Sequence, residues 1–254
     1  MLLNYDLQPA VDTAISDAPT IVLIHGLFGS IGNLGVIARA FKERYPVLQL
    51  DMRNHGLSPQ SEEMDYAHMA ADVRETLDVL HIGSCILIGH SMGGKVAMRL
   101  ASLIPERVEK LVILDMAPVA YQVRQHDEIL KALFAVEQAQ VSSRTEATQI
   151  MRQYLQQDMV IQFLMKSFAA GKWRFNIHAI QAHYADILSW KTQTAFTKPS
   201  LFIRGGVSPY VQEQYLSAIE AQFPLAQVQT IEQAGHWLHA EKPDQVIDLI
   251  QEFL

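Results

Sequence analysis

Cys85-Ile86-Leu87-Ile88-Gly89-His90-Ser91-Met92-Gly93-Gly94-Lys95-Val96 is the stretch on which the reading of this chain turns. Cys85–Ile88 is a short apolar run of the kind that forms a strand buried on both faces. After Gly94 the apolar residues fall at helical spacing, at Val96, Ala97, Leu100, Leu103 and Ile104, until Pro105 stops the pattern. Between strand and helix stands Gly89-His90-Ser91-Met92-Gly93, the G-x-S-x-G of a nucleophile elbow. Its physical requirement is steric: a serine in a tight, strained turn exposes its hydroxyl, and glycines on either side let strand and helix pass without side-chain collision.

Working outward, further apolar runs stand at Ile21–Ile24, Val47–Leu50, Leu111–Leu114 and Leu201–Ile203. Helical periods separate them, one of which (Met69, Val73, Leu77, Leu80) follows a cap candidate at Asp65. Alternation of this kind predicts an α/β fold with a mostly parallel central sheet, helices on both faces and a site at the strand C-termini. From about Ala117 to Phe196 no strand-like run appears and the spacing is helical, which predicts an all-helical insertion. The expected organisation is therefore a core of residues 1–116 and 197–254 with a helical cap at 117–196. A strand-like stretch at Val228–Ile231 and a last helix from Pro243 complete the core.

Composition excludes several classes. With 49 % hydrophobic and 19 % charged residues, the 254-residue chain is that of a packed protein. A formal net charge of −7 and no Lys/Arg cluster leave no footprint for nucleic acid or an anionic membrane. Cys85 is the only cysteine, so neither an internal disulfide nor a C-x-x-C site can form. No Lys or Arg precedes Arg39, and glycines with His25 and Asn33 interrupt the longest uncharged stretch. No secretory signal or membrane helix is read, and cytoplasmic residence is the expectation. Gly89 to Lys95 also fits the G-x-x-x-x-G-K of a P-loop, but Val96 stands where a magnesium-binding hydroxyl is required.

Two other glycine contexts complete a candidate site. His25-Gly26-Leu27-Phe28-Gly29 closes the first clear strand, and its loop can bring the amide of Leu27 beside that of Met92 as a two-donor oxyanion hole. Ala234-Gly235-His236-Trp237 places His236 after a strand, where it can serve Ser91 as general base. His236, His239 and Glu241 lack the further ligands of a metal site, so no metal and no cofactor are expected. In Asp51–Ser58, Asn54 and His55 are possible substrate contacts, although Gly56 and its polar neighbours suit a structural turn better.

These three motifs and the intervening helical segment resemble the α/β-hydrolase superfamily over essentially the whole chain. Within it, His25–Ser30, Asp51–Ser58, Gly89–Lys95 and Ser208-Pro209-Tyr210-Val211 resemble the small bacterial YbfF-type esterases. The resemblance implies a Ser–His–Asp mechanism on short- to medium-chain acyl esters, with acyl-CoA thioesters as a suggested class. The chain departs from the superfamily at the acid. The loop after Leu201–Ile203 reads Gly205-Gly206-Val207-Ser208-Pro209 and holds no carboxylate. Asp115, at the end of the strand after the nucleophile, is the nearest alternative, and the resemblance places the acid there too. Ser208 would then bond the acid or His236 as a fourth member. Candidate substrate contacts are His25, Asn54, Phe163 and Phe168, while Arg124, Lys166 and Arg174 are possible partners for CoA phosphates. A carbon–carbon bond enzyme or a non-catalytic ligand-binding protein of the same fold are the alternatives.

Overall fold

The computed structural model describes residues 1–12 and 18–254. Its main sheet contains β1 (Tyr5–Gln8), β2 (Thr20–Ile24), β3 (Val47–Leu50), β4 (Cys85–His90) and β5 (Val108–Leu114). After the insertion come β8 (Ser200–Gly205) and β9 (Ala226–Ile231), giving the order β1-β3-β2-β4-β5-β8-β9. All neighbours run parallel except β1, which pairs antiparallel with β3. The order reverses between β2 and β4, which opens a crevice at their C-terminal ends where a ligand can settle.

Alternation within each strand divides the core in two. Ile21, Leu23, Ile86, Ile88, Val112 and Leu114 face one side, under α1 (Gly35–Phe41) and the terminal α11 (Pro243–Phe253). Val22, Ile24, Leu87, Leu111, Ile113 and Phe202 face the other, under α2 (Tyr66–Val79), α3 (Met92–Leu103) and α9 (Leu216–Gln222). Burial on both faces explains why these strands read as unbroken apolar runs. Asp65 caps α2 by accepting the amides of Ala67 and His68. The short α10 (Leu238–Glu241) precedes α11.

Between β5 and β8 lie α4 (Asp127–Gln138), α5 (Arg144–Met151), α6 (Asp158–Met165), α7 (Ile177–Ala182) and α8 (Tyr184–Leu188). Their apolar faces join the core cluster on the α2 and α3 side. This insertion is not all helical. β6 (Phe168–Ala169) and β7 (Lys172–Trp173) form an antiparallel hairpin. Its turn residues Ala170 and Gly171 both have positive φ, 50° and 76°, as a two-residue hairpin loop requires. Two-residue strands are too short to show a period, which is why helical spacing alone was visible there.

Lys95 pins the insertion to the core. Its fully buried ammonium donates to the carbonyls of Leu188 at 3.1 Å and Ser189 at 2.9 Å, and lies 4.7 Å from the Tyr121 ring centre. No magnesium-holding hydroxyl follows it, and the lysine that made a P-loop conceivable is a structural clamp.

Candidate active site

Ser91 sits where β4 turns into α3, with φ 54° and ψ −121°. The two glycines leave it no slack. A Cβ on Gly89 would stand 2.3 Å from the Gly93 carbonyl oxygen, and one on Gly93 would stand 2.2 Å from that of Ile24. Ser91 occupies the N-cap position of α3, yet its hydroxyl caps no amide. It donates instead to His236 Nε2 at 2.8 Å.

His236 lies between β9 and α10, and its Nδ1–H donates to Asp115 Oδ2 at 2.7 Å. Asp115 is wholly buried at the end of β5, with φ 52°. Its other oxygen accepts the Gly205 amide at 2.9 Å, and the Ser208 hydroxyl donates to Oδ2. Four groups from four different strand ends therefore form one hydrogen-bonded chain. The loop after β8, lacking a carboxylate, contributes a hydroxyl to the carboxylate at the end of β5. Tyr210 stacks on the imidazole at 3.9 Å, and the His90 side chain donates from Nε2 to the backbone carbonyl of His236 at 2.8 Å. Sequence reasoning did not single out either residue, although Tyr210 stands two positions from Ser208. Burial holds His90 well below the ordinary histidine pKa, helped by His239 and His236. It is therefore a neutral donor.

The Leu27 and Met92 amides meet no acceptor among the described residues, whereas the neighbouring amide of Phe28 is taken by His55 Nε2 at 3.1 Å. His25 and Asn54 are not brought to the cleft as substrate contacts. His25 donates from Nδ1 to the Gly26 carbonyl at 2.7 Å and accepts the Met52 amide at 3.0 Å, so both ring nitrogens are engaged by backbone. Asn54 is buried with φ 63°, its Oδ1 accepting the Ser61 amide and its carbonyl the Asn176 amide. Loop formation wins at both positions because the 51–58 turn is tied down by Asp51, whose carboxylate accepts the amides of Ile31 and Leu57. Gly56 is required there, since a Cβ would fall 2.1 Å from that carboxylate.

Space at the site is uneven. A crevice of about 20 Å³, room for one water, lies over Ser91 between Leu27, Phe28, Phe163 and Trp237. Beside His236 it meets a cleft of about 640 Å³ lined by Ser208, Tyr210, Tyr154, Met159 and Val160. Phe163 is thus at Ser91. Phe168 is not: it is 2 % exposed and packs edge-on against Trp173 at 4.8 Å. Arg124 is engaged by Asp127 at 2.8 Å and lies over the Tyr184 ring. Glu241 accepts the Gly235 amide, and among the described residues no His/Cys/Asp/Glu cluster is arranged to hold a metal. No helix among those residues is long and apolar enough to cross a membrane.

A family profile described as alpha/beta hydrolase fold matches residues 19–243. The chain belongs to the alpha/beta hydrolase family. This hydrolase is 51 % identical to Escherichia coli esterase YbfF, across 100 % of this chain and 99 % of that protein. It is 46 % identical to a putative esterase/lipase of Haemophilus influenzae, covering 100 % and 88 % of the two chains. Among solved structures, a marine microorganism esterase superimposes over the whole of both chains with a TM-score of 0.93 at 32 % identity.

Proposed function

We propose that this carboxylic ester hydrolase cleaves short- to medium-chain acyl esters or thioesters through an acyl-enzyme on Ser91. The observation that carries the reading is the unbroken chain Ser91 Oγ, His236, Asp115, with links of 2.8 and 2.7 Å. Ser91 Oγ attacks the carbonyl carbon while His236 Nε2 takes its proton. Asp115 holds the Nδ1–H tautomer and stabilises the imidazolium, and the Ser208 hydroxyl steadies the same carboxylate oxygen. The amides of Leu27 and Met92, the latter opening α3, receive the oxyanion. His236 then protonates the leaving alcohol or thiol, and water returns through the same base to release the acid.

Proton delivery by His236 assigns the two spaces. The leaving group must lie beside His236, in the wide cleft, while the one-water crevice over Ser91 receives the reacting carbonyl and a longer acyl chain enters only as Phe163 turns aside. That division supports a modest acyl group joined to a bulky alcohol or thiol, acyl-CoA included. Such a thioester would be met in the cytoplasm. We further propose that residues 117–196 act as the lid that shapes both spaces.

Ser91→Ala is expected to lower kcat by roughly 10⁴- to 10⁶-fold on a chromogenic acyl ester and to abolish fluorophosphonate labelling, with the melting curve preserved. Near-normal turnover in that variant overturns the acyl-enzyme.

A further inference from the structure

His126 stands at the N-cap of α4, where Ser, Thr, Asp or Asn would ordinarily close the helix, yet its side chain makes no cap. It is turned instead toward Tyr184, whose hydroxyl lies 2.7 Å from Nδ1 and also accepts the His126 amide at 3.1 Å. Among the described residues no other acceptor meets that phenol, so the arrangement using its one proton has Tyr184 O–H donating to Nδ1. The proton of the neutral ring then sits on Nε2. Burial, reinforced by repulsion from His236, pushes the imidazole down to about 4, so the ring is uncharged near neutrality.

The place of this N–H matters. His126 and Ile129 from the lid, with His236 and Trp237 from the core, line both the crevice over Ser91 and the wide cleft. They mark the junction where a scissile bond would lie. Ile129 has no polar side-chain atom, Trp237 packs on His236 and Phe163, and His236 is the base. His126 is the junction residue whose donor is fixed in direction by a second hydrogen bond. Its ring also meets Phe28, beside Leu27, edge-on at 5.9 Å.

We propose that His126 is a substrate-binding residue supplied by the lid, its Nε2–H donating to an oxygen acceptor in the alcohol portion of the substrate, within a few atoms of the scissile ester. This rests on the acyl-enzyme reading and adds a substrate class to it: esters whose leaving group carries an ether, hydroxyl or carbonyl oxygen near the bond. An aliphatic leaving group of the same length displaces the water on this N–H and leaves it unpaired in the closed site.

The test compares 2-methoxyethyl butyrate with n-butyl butyrate, which have alcohol portions of equal length with and without the acceptor. The inductive effect of the ether oxygen is common to every variant, so the readout is the change in the ratio of the two kcat/KM values. In His126→Phe the ratio is expected to fall about 10-fold, the worth of one neutral hydrogen bond. In His126→Gln, whose amide N–H reaches a similar point, it is expected to stay within about 2-fold of wild type. Tyr184→Phe, which frees the imidazole to turn, is expected to lower it by about 2- to 5-fold. It also serves if His126→Phe does not fold. An unchanged ratio in His126→Phe, or in Tyr184→Phe where that variant stands in, overturns the proposal. Failure of the acyl-enzyme reading looks different: wild-type protein then neither labels with a fluorophosphonate nor hydrolyses either ester.

Discussion

Ser91 and Asp115 both hold positive φ, 54° and 52°, a conformation that non-glycine residues adopt at a cost of about 1–3 kcal/mol each. The surrounding contacts hold them there, and each strained residue ends a strand with its side chain aimed at His236. Ser91 was legible because its motif carries its own steric explanation. Asp115 is marked locally only by its place at the end of an apolar run. The carboxylate-free loop after Leu201–Ile203 and the family resemblance pointed to it, and in the fold His236, Ser208 and the Gly205 amide converge on its carboxylate. Asp115→Asn keeps the shape but favours the wrong imidazole tautomer, so kcat is expected to fall about 10⁴-fold. Ser208→Ala removes one donor to a carboxylate still held by two others, and a loss of about 10- to 100-fold is expected. Steady-state kinetics of both variants check the order; a larger loss in Ser208→Ala would move the acid role away from Asp115. His25 and Asn54 were offered as substrate contacts, with a structural turn favoured around Asn54, and both bond backbone instead. A polar residue in a glycine-rich loop looks the same in sequence whether it faces a substrate or bonds its own backbone.

At the scale of elements, the insertion separates residues that share a type. Phe163, in α6, walls the crevice over Ser91, whereas Phe168, in β6, packs against Trp173. Phe163→Ala is expected to move the optimum of an acyl-length series toward longer chains, each buried methylene being worth about 0.8 kcal/mol. Phe168→Ala is expected to leave that profile unchanged and to cost about 3–5 kcal/mol in denaturant unfolding as a core truncation. A shifted profile in the second variant but not the first would reverse the assignment. The hairpin that carries Phe168 and the edge strand β1 were the elements that sequence patterning missed. In β1 the apolar Tyr5 and Leu7 are the exposed positions, so the alternation points the wrong way.

The whole molecule stores neutral imidazoles. Burial lowers His25, His55, His90, His126 and His239 below the ordinary 6.5, to about 4 for His126 and about 3 for His55 and His239. As pH falls through about 6.5 the unfolded chain takes up these protons, while the folded chain does so only near the lowered values. Stability therefore falls as pH falls between those limits, by up to about 1.4 kcal/mol per pH unit for each histidine. Melting temperature is expected to drop steadily from pH 6.5 to pH 4.5, and less steeply in His55→Asn. A flat profile over that range would mean that these rings are not buried neutral.

Periodicity and glycine punctuation were enough to establish the parallel sheet, the insertion and the places of Ser91 and His236, because each depends on neighbours within a few residues. Buried strands must be apolar throughout, and a serine in a tight turn must have glycine around it. The rest depended on distance in sequence. Asp115 meets His236 across 121 positions, and His126 meets Tyr184 across 58. Phe163 is a wall and Phe168 a core residue only because the insertion folds down on α2 and α3, with Lys95 clamped to the end of α8. A side chain's chemistry is written in the chain, but its partner is chosen by packing, which brings together groups that no local pattern relates.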